Sequence, residues 1–254
     1  MVPLLVVSGL SKASDNQLAV GYAYTDYSGG HGDKNILFAE LKNKIEKGTL
    51  ASSLETGGRN YADNEKKRNG TRGKMTFYYD WNPWLTTRSA GAIADKTEMF
   101  ARYELLHDFN FKFLKGTVFT VGGRHAHYYD DVNVNSWSVG ISYYTGPVML
   151  SWRYSRYNDT SEAGNSYSHV ASLKLKDKSG RGSTQLWVGT GTGAYTYDWT
   201  PELRKGKQHS VSLRRLQPLT ERLALSVVVG KHWYELPLYH YTGFTGQLSL
   251  EYVL

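Results

Sequence analysis

The sequence contains no cysteine, and that single absence removes disulfides, thiolate metal centres and cysteine nucleophiles together. After the N-terminus it also lacks any apolar run of the length, about 18 residues, that a membrane-crossing helix needs. Only a closed sheet could carry this chain through a bilayer. Acidic residues are in deficit, 23 against 30 Lys and Arg, giving a formal charge of +7 and a pI near 9.3. Such a surplus favours acidic neighbours, either nucleic acid or the phosphates of lipopolysaccharide. Neither a recognition helix nor a stacking sheet with basic edges is legible, so nucleic acid is not an expected partner. Proline is scarce as well. Apart from Pro3, every one (Pro83, Pro147, Pro201, Pro218, Pro237) falls in a predicted connection, where it costs no ladder hydrogen bond.

Aromatic residues are what the chain has in abundance: 20 Tyr, 7 Trp and 8 Phe at a mean hydropathy of only −0.49. A wall that is apolar on one side and polar on the other averages to such a value. From Gln17 onward, about fourteen segments alternate in polarity and end on Gly, Pro, Asn or Asp. Trp137, Val139, Ile141 and Tyr143 alternate with Ser136, Ser138, Gly140 and Ser142. Met75, Phe77, Tyr79 and Trp81 alternate with Lys74, Thr76, Tyr78 and Asp80. The segments exceed the five or six residues usual in soluble strands and reach the roughly ten that cross a bilayer at a tilt. Aromatics gather near their ends, at Trp81 and Trp84, Tyr128 and Tyr129, Tyr143 and Tyr144, and Tyr195, Tyr197 and Trp199, as at headgroup level in a barrel. Compact turns alternate with longer polar links such as Tyr61 to Arg72, Asp130 to Asn135 and Asp198 to Lys207.

The expected fold is therefore all-β, a transmembrane antiparallel up-and-down barrel of about 14 strands over 14–254 in a bacterial outer membrane, both termini periplasmic. Met1 to Ala13 reads as a signal peptide without its basic start, cleaved before Ser14; an ordinary first strand is the other reading. Leu248, Leu250, Tyr252 and Leu254 form the closing strand that barrel assembly machinery reads, with Leu254 in place of a terminal aromatic.

Assigning the polar face to the lumen places Glu40, Lys42, Lys44, Arg102, Glu104, Asp108, Arg124, Arg153 and Arg214 inside. This mixture of signs fits either a conduit for a polar, possibly anionic solute or a lumen closed by ion pairs that stiffen the wall. Lys66, Lys67 and Arg68, with Arg72 nearby, form the most basic cluster, in a predicted loop. They are candidates for contact with lipopolysaccharide phosphates. His107 and Asp108 point to opposite faces and cannot act as a pair, whereas His125 and His127 share the lipid-side face. No Ser or Asp converges with His on one face, so no catalytic residue is assigned. Asp130 and Asp131, with Asp26 or Asp198, could gather at the outer rim around a divalent cation, yet read better as loop charges. Neither a metal nor a cofactor is expected.

Specific blocks carry a family resemblance. Thr25-Asp26-Tyr27-Ser28-Gly29 with His31-Gly32, Trp84-Leu85-Thr86-Thr87-Arg88, Tyr144-Thr145-Gly146-Pro147-Val148 and the long block from Gly191 through Asp198-Trp199 to Glu202 resemble the YaiO-type outer-membrane β-barrel family. The resemblance implies a barrel and an outer-membrane location, with no established reaction, cofactor or ligand. Related barrel domains occur beside surface-polysaccharide machinery, so a conduit for polysaccharide leads, ahead of a lipid-modifying barrel enzyme and of a closed structural or receptor barrel.

Overall fold

A computed structural model describes residues 16–61, 64–95, 99–128, 131–160, 165–192, 206–236 and 240–254. The expected signal segment lies outside these, as do Tyr129, Tyr195, Tyr197 and Trp199. Fourteen strands run in order: β1 (Gln17–Tyr27), β2 (Asp33–Ile45), β3 (Gly48–Tyr61), β4 (Asn64–Asn82), β5 (Leu85–Ala94), β6 (Tyr103–Leu114), β7 (Thr117–His127), β8 (Asn133–Thr145), β9 (Val148–Asp159), β10 (Asn165–Lys176), β11 (Ser183–Thr192), β12 (Lys207–Pro218), β13 (Leu223–Glu235) and β14 (His240–Val253). Each pairs antiparallel with its sequence neighbours, and β1 pairs with β14, from Gln17 opposite Val253 to Tyr27 opposite Gly243. The sheet closes on itself and has no edge.

Closure follows from the two-residue period. Along β1, Leu18, Val20, Tyr22 and Tyr24 are exposed on the outside, while Ala23, Thr25 and Tyr27 are buried inside. The same alternation runs through β13, where Ala224, Ser226 and Val228 are buried and Val229 faces out. An outer wall of Leu, Val, Phe and Trp would be untenable in water and suits hydrocarbon. The backbone ring is roughly 27 Å across for strands about 4.8 Å apart at a tilt of about 40°, wide enough for long inward side chains to meet. Replacing outward Val121, in the middle of β7 and 49% exposed, with Arg is expected to cost about 2–4 kcal/mol of folding free energy in a bilayer. A urea midpoint in lipid vesicles that did not move would show that this face avoids hydrocarbon.

The two ends of the barrel differ. At the end that carries both β1's start and β14's finish, turns are as short as 46–47, 83–84, 115–116 and 146–147; this is called the turn end below. The opposite, loop end holds the links 28–32, 95–102, 128–132 and 193–206. Gly29, Gly30 and Gly32 in the first of these all take positive φ, at 69°, 77° and 71°, which explains the glycines of that block. One predicted loop is corrected. The stretch Tyr61 to Arg72 is mostly ladder, with Gly57 opposite Gly70 and Arg59 opposite Arg68, because charged strands can continue as a hairpin once they have left the bilayer for water. Tyr128 is a second correction: it is buried inside the loop end rather than placed in an outer girdle.

Candidate functional site

Parity turns charges of both signs from several strands toward the interior, where a cavity of about 370 Å³ lies. Of the nine side chains expected there, Glu40, Lys42, Glu104, Asp108, Arg124, Arg153 and Arg214 line it. Lys44 and Arg102 do not. Lys44 is exposed near the turn end, where its amide donates to Asn16 Oδ1 at 3.2 Å, and Arg102 is exposed just before β6 at the loop end. Alternation fixes the face of a side chain and leaves its level along the barrel unspecified.

Asp108 is the centre of the best-defined group. Its carboxylate, with the side chain 3% exposed, lies 2.5 Å from an Arg88 amino group and 2.6 Å from one of Arg153. Arg88 is its direct cross-strand neighbour on β5, but Arg153 reaches it from β9, over two intervening strands. The inner wall beneath that reach is bare, since Gly122 on β7 and Gly140 on β8 carry no side chain. A β-carbon at Gly122 would collide with the Asp108 carboxylate and sit 3.1 Å from an Arg153 amino group. Ser138 completes the anchor, 2.6 Å from the same guanidinium.

Other ion pairs line the interior. Arg124 holds Glu104 at 2.9 Å, Arg72 holds Glu55 at 2.7 Å, and Lys42 lies 2.9 Å from Glu40. Arg214 on β12 donates to Ser226 on β13 at 2.8 Å and to Glu251 on β14 at 2.5 Å. Arg72 is therefore a correction: the expected lipopolysaccharide contact is an inward side chain of β4, paired with Glu55 and set over the Phe100 ring at 4.7 Å. Arg68 lies on β4 opposite Arg59, while the side chains of Lys66 and Lys67 fall outside the described ones. At the turn end, outside the wall, Arg215 grips Asp177 through two hydrogen bonds of 2.7 Å, which holds the Asp177 carboxyl below the usual carboxylate range.

The balance of charge inside is uneven. Seven cations (Lys42, Arg72, Lys74, Arg88, Arg124, Arg153, Arg214) face five carboxylates (Glu40, Glu55, Glu104, Asp108, Glu251) around the cavity. Two guanidiniums share Asp108. Lys74 has no carboxylate within ion-pair distance among the described residues, since its neighbours across β3 and β5 are Ser53 and Ala92. The sequence reading missed Lys74, Glu55, Arg88 and Glu251, although parity would have turned each inward. Toward the loop end apolar clusters enter the interior, with Tyr27, Tyr234, Leu236 and Tyr241 in one, Ile36, Met99 and Phe100 in a second, and Ala126, Tyr128 and Val134 in a third, beside buried Lys34 and an Arg59 guanidinium 3.6 Å from the centre of the Tyr27 ring.

Outside, Ser89 Oγ lies 2.8 Å from His107 Nδ1 across β5 and β6, a pairing the sequence reading did not foresee. Thr190 with His209, Asn135 with His125 and Asn133 with His127 repeat it at 2.8–3.0 Å, so it is how this wall satisfies outward polar groups. Among the described residues no carboxylate orients His107, and the ladder occupies the backbone donors around it. The carboxylate cluster imagined at the rim is not formed among the described residues, which hold no group of three metal-ligating side chains. Asp131 lies 3.6 Å from His127 Nε2, while Asp130 and Asp198 fall outside the description.

The barrel resembles solved outer-membrane proteins at very low identity. It is similar to the CymD monoaromatic hydrocarbon channel at TM-score 0.65 and 8% identity, over 96% of this chain and 89% of that one. It is similar to a bacterial polysaccharide outer membrane secretin at TM-score 0.59 and 7% identity, over 94% and 98%. An anion-selective porin from Comamonas acidovorans matches at TM-score 0.53 and 10% identity, over 95% and 99%. These likenesses fix the fold alone. The model of the YaiO membrane beta barrel domain matches residues 15–198, which, with an outer wall built for hydrocarbon, makes this chain a member of that family and a barrel of the bacterial outer membrane.

Proposed function

We propose that the barrel is a conduit for polar, anionic solutes, with its loop end outside the cell and both chain ends in the periplasm. Short turns at the end shared by the termini and longer links opposite support that orientation. The observation that carries the function is the cationic surplus of the interior, with Lys74 in no ion pair among the described residues and Asp108 shared between two guanidiniums. A ring of side chains of one net sign draws ions of the other through a pore. The solute class we assign is an acidic oligosaccharide or exopolysaccharide strand. A cavity of about 370 Å³ lies toward the lower end of the range for small-molecule sites, about 300–1,000 Å³, so it holds a short stretch of such a chain at a time. The hairpin that carries Lys66, Lys67 and Arg68 is assigned to lipopolysaccharide phosphates at the surface, and β14 to recognition by the barrel assembly machinery.

A second reading, a closed barrel stiffened by ion pairs, is favoured by the apolar clusters at the loop end. Planar-bilayer recording separates the two. The conduit predicts an anion-selective current that an oligouronide blocks more strongly than a neutral oligosaccharide of equal length. A wall sealed to ions and to uncharged sugars under every condition would sink it.

A further inference from the structure

The outer wall is not uniformly greasy. A groove of about 750 Å³ crosses it from β3 to β8. Its floor is shallow because Ser89, Gly91 and Gly123 occupy outward positions where neighbouring strands carry large side chains. The row Leu50, Phe77, Ser89, His107, Gly123 runs along the hydrogen-bonding direction, over four strand spacings of about 4.8 Å. Since strands tilt by about 40°, such a row climbs the wall. Leu50 lies just after the turn 46–47, whereas Asn135 is close to the start of β8 at the loop end.

The chemistry changes along that climb. The end nearest the turns is walled by Leu50, Met75 and Phe77, and the end nearest the loops by His107, His125 and Asn135. Each of these histidines has Nδ1 tied to a neighbouring side chain at 2.8 Å, which leaves Nε2 to face outward. Above them, the Tyr103 ring stacks on His127 at 4.7 Å and 14°, and Arg156 is exposed on the outer side of β9. Ionisable side chains on a hydrocarbon-facing wall are costly and mark function. Here they gather at one end of an apolar trench whose length matches an acyl chain.

We infer that this groove is a binding site for one acylated, phosphorylated sugar lipid of the lipid A type, an acyl chain lying between Phe77 and Leu105 and a phosphate meeting His125 and Arg156. The aromatic platform favours a sugar over a glycerol headgroup, because ring faces pack on the apolar faces of a pyranose. The loop end faces the leaflet where that lipid resides under the orientation proposed above. Charge-assisted hydrogen bonds from imidazolium and guanidinium to phosphate supply the remaining attraction.

The test uses the whole barrel, refolded in detergent and incubated with bisphosphorylated lipid A, with lipid A lacking its phosphates, or with phosphatidylethanolamine, and read by native mass spectrometry. A single lipid A adduct is expected to survive detergent dilution, with the other two lipids at least about tenfold weaker. Gly91→Leu with Gly123→Leu fills the trench, and a β-carbon at either meets nothing closer than 3.7 Å, so folding is retained and can be checked by heat-modifiable gel mobility. That variant should lose the adduct, and H125A with R156A should lower its occupancy about tenfold. Equal retention of phosphatidylethanolamine, an adduct indifferent to the filled trench, or a dimer that the filled trench dissolves would each overturn the assignment. None of these outcomes depends on current through the lumen, so the conduit reading can fail while this one stands.

Discussion

Replacing Asp108 with alanine is expected to lower the unfolding free energy of the barrel by about 3–5 kcal/mol, the range for removing one partner of a buried ion pair. Two guanidiniums, those of Arg88 and Arg153, converge on this carboxylate from strands β5 and β9. Without it they face one another in a space where the Arg88 Nε is already buried with no protein partner. The measurement is denaturant unfolding in lipid vesicles, followed by tryptophan fluorescence. Asp108→Asn separates charge from shape, since the amide keeps the volume and part of the hydrogen bonding. Removing Arg153 as well should restore part of the loss, because it relieves the repulsion that the first substitution creates. A loss under about 1 kcal/mol would mean that water reaches the group freely and that it behaves as a surface pair.

Lys74→Glu should have the largest effect on permeation. Lys74 is the cavity cation that stands opposite Ser53 and Ala92 and has no ion pair among the described residues, so its charge is offered to the lumen. A unit charge at about 5 Å in water is worth about 0.8 kcal/mol, and the substitution changes the wall by two units. After screening by salt, the ratio of anion to cation permeability should fall about tenfold, read as a shift in reversal potential across a salt gradient. Lys74→Met removes one unit and should move the potential roughly half as far. An unchanged potential in both variants would remove Lys74 from the permeation path.

The architecture was legible because a barrel strand writes both of its environments into the chain in alternation. Met75, Phe77 and Trp81 fall on one face, and Lys74, Thr76 and Tyr78 on the other, by sequence alone. Strand count followed from turn chemistry such as Thr145-Gly146-Pro147. What alternation lacks is height. Arg102 shares its parity with Glu104 but stands before the strand begins, and Lys44 lies beyond the cavity on the same face as Lys42. Arg72 was misread for a related reason: Lys66 to Arg72 has the composition of a loop, although the ladder continues through it. Partner choice was also hidden. Arg153 meets Asp108 across 45 residues of sequence, and the only local trace of that contact is a pair of glycines, Gly122 and Gly140, on the strands it crosses.

The pairing of β1 with β14 also governs how the molecule comes into being. Gln17 finds its partner in Val253, so β1 must wait until β14 has been made before its second flank is satisfied. Until then two rows of amides and carbonyls are open to solvent, and a chain in that state cannot rest in hydrocarbon. Non-local closure of this kind is slow. Through that interval the open flanks are rows along which two half-made cylinders could pair with one another.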